Sequence, residues 1–172
     1  LFAMRSLKKM PKHILKTIYY SLIESHLNYG IMLWGNTYQN ILKTIKIQQK
    51  KAICIINRKK YRTNVNSYFK ENKILNFNNL YQLSLAKFMY KFETGCLPKS
   101  FKNLFQLRSD VHNYNTRKAH QIQIKRYNTS YMGTSFLVQG PKYWNTISQE
   151  LKNVTNMNIF AKNLKNKLIA AM

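Results

Sequence analysis

Only five side chains in this sequence carry negative charge, Glu24, Glu71, Glu93, Asp110 and Glu150, against 29 lysines and arginines. The formal net charge is +24. An excess of this size points to a polyanionic partner, nucleic acid first, because each cation placed near a phosphate releases condensed counterions. The shortage of acids also narrows the chemistry. A two-metal phosphoryl-transfer site needs several convergent carboxylates, and paired acid/base catalysis needs two in one cleft. The five acids are scattered singly, so the chain reads as one that grips a polyanion rather than one that cuts or copies it unaided.

The same composition can still build a core. Hydrophobic residues make up 45% and aromatics 13% of the 172 residues, so the charge is not that of a disordered tail. Five glycines and three prolines favour helices over a turn-rich β-sandwich. The expected fold class is therefore mainly α. No apolar run approaches the ~18–20 residues that cross a bilayer, and residues 1–10 lack the apolar segment of a signal peptide. The chain begins with Leu1, which suggests an internal cut in a longer protein. Cys54 and Cys96 are far apart, neither forms a CxxC pair, and His13, His26, His112 and His120 lack zinc-ligand spacing with them. Reduced thiols, no cofactor or metal in this chain and an intracellular setting are expected.

Periodicity places the elements. A helix is expected from about Pro11 to Leu27, with Ile14, Leu15, Ile18, Tyr19 and Leu22 as its apolar stripe. Gly30 and Gly35 bracket Ile31–Trp34 as a tight corner. A second helix spans roughly Tyr38 to Asn57, burying Ile41, Leu42, Ile45, Ala52, Ile53 and Ile56. Lys43, Lys46 and Lys50 fall on its other face, with Lys51 near the edge, and Arg58, Lys59, Lys60 and Arg62 follow its C-terminus, where cations complement the helix dipole. A basic face backed by an apolar one suits a helix lying along phosphates, although a solvated lysine face has the same pattern. Short helical turns are expected near Val65–Lys70. A helix that is apolar nearly all round, from Asn78 or Asn79 to Glu93, is capped by one of Asn76, Asn78 and Asn79 and stopped by Gly95 and Pro98.

Past Phe105 the pattern changes. Residues 106–135 are poor in helical period, and Gln121–Lys125 alternates polar and apolar like a short strand or extended arm. Two helices return, at Pro141–Leu151 and at Met157–Ala170. In Gly140–Asn145 the Gly–Pro pair is expected to turn sharply into a helix anchored by Trp144, with Lys142 as the phosphate contact. Arg117, with Tyr114 and Lys118 beside it, could bind a phosphate while a ring stacks on a base; an Asx-turn loop built by Asn113 and Asn115 is the structural alternative.

Several segments taken in order carry a family resemblance: Tyr19–Ile23, His26–Gly30, Leu33–Gly35, Gln48–Ile53, Leu97–Pro98, His112–Arg117 and Gly140–Asn145. Together they resemble the region that follows the catalytic palm in reverse transcriptases of non-LTR retrotransposons of the jockey and CR1-like (LINE) type, over nearly the whole chain. The resemblance implies a thumb-like helical bundle over residues 1–105 and a partly extended C-terminal extension with two short helices over 106–172. It implies template–primer clamping by phosphate contacts, with RNA, an RNA–DNA duplex and the polymerase's palm and fingers as partners, in a ribonucleoprotein of nucleus and cytoplasm. RNA-directed DNA polymerase activity and its Mg2+ would belong to that palm. The family's Asp–Asp turn has no counterpart here, since Asp110 is the sole aspartate. Catalytic residues are therefore not expected in this fragment of a transposable element. A domesticated basic helical protein that binds RNA, protein or an anionic membrane is the alternative.

Overall fold

Leu15 and Tyr19, one helical turn apart, set the direction in which the N-terminal helices pack. The computed structural model describes residues 1–61, 63–111, 114 and 116–172; Arg62, His112, Asn113 and Asn115 lie outside the described residues. Helix α1 (Phe2–Ser6) leads to α2 (Lys12–Tyr19), which widens into a π turn at Tyr20–Glu24 before α3 (Ser25–Asn28). Pro11 stands at the N-cap, one residue ahead of the helix. Leu15 and Tyr19 are fully buried, but Ile14 is 37% and Leu22 49% exposed. The π turn is the reason for Leu22: i→i+5 bonding takes it off the 3.6-residue stripe.

The corner is a single turn, α4 (Ile31–Trp34), entered through Gly30 at φ 61. Gly35 closes it for a different reason. A Cβ there would run into the Ile31 carbonyl oxygen and come within 2.7 Å of Tyr81 Cδ2, so only glycine lets the chain pass.

Helix α5 (Gln39–Ile56) matches the expected span to within a residue at each end. Leu42, Gln49, Ala52, Ile53, Cys54 and Ile56 are buried on it. Ile41 departs from expectation at 59% exposed. Its position on the helical wheel lies only about 20° from that of Ala52, three turns later, so angle does not separate them. Neighbours do: one apolar cluster gathers Met4, Leu15, Tyr19, Ala52, Ile53, Ile56 and Phe69, and it engages the C-terminal half of α5 rather than its first turn. Gln49 locks this packing, its buried Nε2 donating to the Tyr19 hydroxyl at 2.9 Å and to the Leu75 carbonyl at 3.0 Å. The helix ends in a Schellman motif, with Arg58 N–H to Ile55 O at 3.1 Å, Lys59 N–H to Cys54 O at 2.9 Å, and Arg58 at φ 52. Helix α6 (Asn66–Asn72) follows, then α7 (Phe77–Glu93), whose cap is Asn76, with Oδ1 accepting from Asn79 N–H at 2.9 Å. Gly95 at φ 69 ends α7 as expected.

The chain forms two compact units, Leu1–Tyr81 with Lys165–Met172, and Gln82–Leu164. The second unit is built on aromatic rings. Phe88 meets Phe101, Phe105 and Phe136 edge-on at centroid distances of 6.1, 6.4 and 5.6 Å, and Phe92 meets Phe105 at 5.0 Å. Tyr90 stacks on Phe160 at 4.7 Å while its hydroxyl donates to the Val154 carbonyl. The apolar circumference of α7 is thus covered by this chain's own residues, with Leu80, Leu83, Leu85, Met89 and Tyr90 all buried.

The remaining helices are α8 (Arg108–Val111), α9 (Ser130–Thr134), α10 (Phe136–Trp144), α11 (Gln149–Lys152) and α12 (Met157–Ala170). This region is more helical than its sequence suggests. Of the strand or extended arm expected at Gln121–Lys125, the described residues form one antiparallel bridge, Leu107 with Ile122, and otherwise no regular element. Ile122 finds its other partner in a side chain: the Asn145 amide accepts from its N–H at 3.2 Å and donates to its carbonyl at 2.9 Å, the two bonds a second strand would supply. Gly140–Pro141 does not start a helix, contrary to expectation. It sits inside α10, which begins five residues earlier because the Ser135 hydroxyl caps it by accepting from Leu137 N–H.

Tyr81 offers a test of the first unit. It is 8% exposed, its hydroxyl has no hydrogen-bond partner among the described residues, and burial pushes its pKa from 10.0 up to about 12. Below pH 10 folded and unfolded chains both hold this proton. Between pH 10 and about 12 the unfolded chain releases it first, so stability falls as pH rises. Tyr19, also raised by burial, acts in the same direction. Tyr81→Phe is expected to leave thermal stability at pH 7 intact and to flatten that alkaline decline by an amount on the order of 2 kcal/mol, read from denaturant midpoints across pH 9–12.

Candidate nucleic-acid interface

The exposed face of α5 carries Lys43, Ile47, Lys50 and Cys54 at i, i+4, i+7 and i+11, one stripe of a helix. Lys43 and Lys50 are exposed, Ile47 is 41% exposed between them, and about 10 Å of helix axis separates the two lysines. Lys46 is less free than its place in the sequence suggests. It is half-buried, donates to Gln39 Oε1 at 3.1 Å and lies 5.9 Å from the Phe77 ring centre. Lys51 is half-buried too, 4.8 Å over the Tyr61 ring.

Where the stripe reaches Cys54 the surface changes, because α1 packs against this end of α5 and buries the thiol to 3% exposure. The result is a cleft of about 530 Å³, lined by Arg5, Lys8, Lys9, Arg58 and Lys59 around Cys54 and Ile55. Arg58 holds its edge: Nη2 donates to the Lys9 and Met10 carbonyls at 3.3 and 3.4 Å, tying the α1–α2 connection to the cap of α5. Lys59 stands 5.9 Å over the Tyr68 ring, and Lys60 is exposed. Arg62 lies outside the described residues. The sequence reading missed Arg5, Lys8 and Lys9. Their only local signal is the basic run beside Pro11, and only the fold brings them to a helix end some 50 residues later.

In the second unit Tyr114 is 82% exposed, and Arg117 and Lys118 are exposed. The Asx-turn alternative for that loop rests on Asn113 and Asn115, outside the described residues. Lys142, expected as a phosphate contact, is half-buried, donates to the Tyr127 hydroxyl at 3.0 Å and lies 5.1 Å over that ring. Trp144 is 1% exposed, as expected of an anchor.

The Glu71 carboxylate lies in the field of Lys12, Lys16 and, among the cleft's cations, Lys59. Lys12 pairs with Glu71 at 2.6 Å, and both side chains are largely exposed; this pair holds the Glu71 carboxyl below the usual carboxylate range. Among the described residues no group of three His, Cys, Asp or Glu side chains could hold a metal, and no helix is long and apolar enough to cross a membrane. Cys54 and Cys96 are free thiols. No protein family, curated protein or solved structure matches the chain.

Proposed function

We propose that this chain clamps an RNA or RNA–DNA duplex by its phosphates, as the thumb-like, non-catalytic portion of a retrotransposon reverse transcriptase whose palm supplies the chemistry. The observation that carries this reading is the basic stripe of α5, with Lys43 and Lys50 exposed on a chain of net charge +24. Contacts of this kind position a duplex without reading its sequence. Ile47, 41% exposed between the lysines, offers an apolar contact to sugar edges. The ordered motifs from Tyr19 to Asn145 support the retrotransposon assignment.

Exposed apolar side chains favour a protein partner as well. Tyr29 is 85%, Leu33 71%, Tyr38 64% and Ile41 59% exposed, all between α3 and the first turn of α5. In this reading that partner is the palm of the same polymerase.

Replacing Lys43 and Lys50 together by Gln should weaken duplex binding alike for unrelated sequences and lower the log–log salt slope by about 2, one for each phosphate no longer neutralised. Lys46→Gln with Lys51→Gln, which removes the same charge from side chains already engaged within the protein, should change the slope less. An unchanged slope in the Lys43/Lys50 variant would count against the stripe as the contact surface.

A further inference from the structure

The cleft at the end of α5 has properties that a duplex-binding stripe does not need. Its volume of about 530 Å³ lies inside the ~300–1,000 Å³ range of small-ligand sites. Five cationic side chains line it and no acidic one does. Its floor is apolar: Ile55 is half-buried, and burial pushes the Cys54 thiol above its ordinary range, so the sulfur stays uncharged at neutral pH. The frame is fixed at one end by backbone, the Schellman cap at Arg58–Lys59, and at its edge by the Arg58 guanidinium, which donates to two carbonyls of the α1–α2 connection. Those bonds use Nη2 alone, leaving three of the five guanidinium N–H donors. A cationic rim over an apolar floor fits an anion that carries a flat apolar body, and bare phosphate would leave the floor unused.

We propose that this cleft binds a nucleoside phosphate, with the phosphates held by Arg5, Lys8, Lys9 and Lys59 and the base against Ile55 and Cys54. A free nucleotide and the terminal nucleotide of a strand share this chemistry. The site does not depend on the duplex reading, since its residues are distinct from Lys43 and Lys50.

The test titrates the full chain with ATP, inorganic triphosphate, and a short single-stranded RNA bearing either a 5′-phosphate or a 5′-hydroxyl. Two variants of equal charge are compared: Arg5→Gln/Lys8→Gln/Lys9→Gln in the cleft and Lys43→Gln/Lys50→Gln/Lys60→Gln outside it. All six side chains are exposed, and thermal melts confirm folding; should the cleft triple melt early, Lys8→Gln/Lys9→Gln replaces it. ATP should bind the parent protein more tightly than inorganic triphosphate does. The cleft variant should lose at least about tenfold in ATP affinity, and the outer variant less than twofold. A 5′-phosphate preference that vanishes in the cleft variant, without ATP binding, would assign the site to strand ends. Equal loss in both variants, equal affinity for ATP and inorganic triphosphate, or no binding of ATP and no 5′-phosphate preference would each overturn the proposal. Duplex affinity in the same variants separates the two readings: the duplex reading fails if the outer variant keeps full duplex affinity, whatever ATP does.

Discussion

Replacing Trp144 by Ala should destabilise the second unit by about 3–5 kcal/mol, the usual cost of removing a large aromatic side chain from a packed core. The indole is 1% exposed, lies 5.8 Å from the Phe160 ring centre and has Lys152 Nζ 5.1 Å above it. Phe160 in turn stacks on Tyr90, so the cavity would open beside the two rings left of a chain of three. The loss is not spread over flexible surface, because Tyr90 is fixed through its hydroxyl to Val154. Thermal unfolding should shift down by roughly 6–20 °C, taking about 2–4 °C for each kcal/mol in a chain of this size. Trp144→Phe should recover most of that. If Trp144 instead stacked on a base, its removal would lower RNA affinity while leaving the melt unchanged. A shift below about 2 °C with weakened RNA binding would therefore reverse the assignment.

Elements whose signals are local were legible in the sequence. Helix α5 was found because its apolar positions repeat over five turns, and α7 because Asn76, Gly95 and Pro98 punctuate it. Signals that depend on a distant partner were not legible. Ile41 and Ala52 share a helical face, yet only Ala52 meets the cluster built from α1, α2 and α6. Pro141 reads as a helix start, but Ser135, six residues earlier, caps the helix that contains it. Asn145 gave no sign that its amide would stand in for a strand beside Ile122.

The candidate site divides along the same line. Residue type identified the cations, but not which of them are already engaged. Lys46, Lys51, Arg58, Lys59 and Lys142 each meet a carbonyl, an amide, a hydroxyl or a ring within the protein. Lys43, Lys50, Lys60, Arg117 and Lys118 are exposed. A side chain held over a ring or carbonyl can still add to the field at the surface, but it must leave that partner to reach a phosphate. The exposed group therefore carries the expectation of direct contact. Arg5, Lys8 and Lys9 join it through the fold alone.

Phosphate clamping is tested most directly by titrating an RNA–DNA duplex with the full chain between 50 and 200 mM monovalent salt. If six to ten phosphates are engaged, the log–log slope should lie near −5 to −9 and the affinity should fall by about 10³–10⁵ across that range. Two duplexes of unrelated sequence should follow the same line, because the contacts carry no base readout. A nearly flat salt dependence would contradict the account, since a chain of charge +24 that binds without releasing counterions does not hold its partner by phosphates.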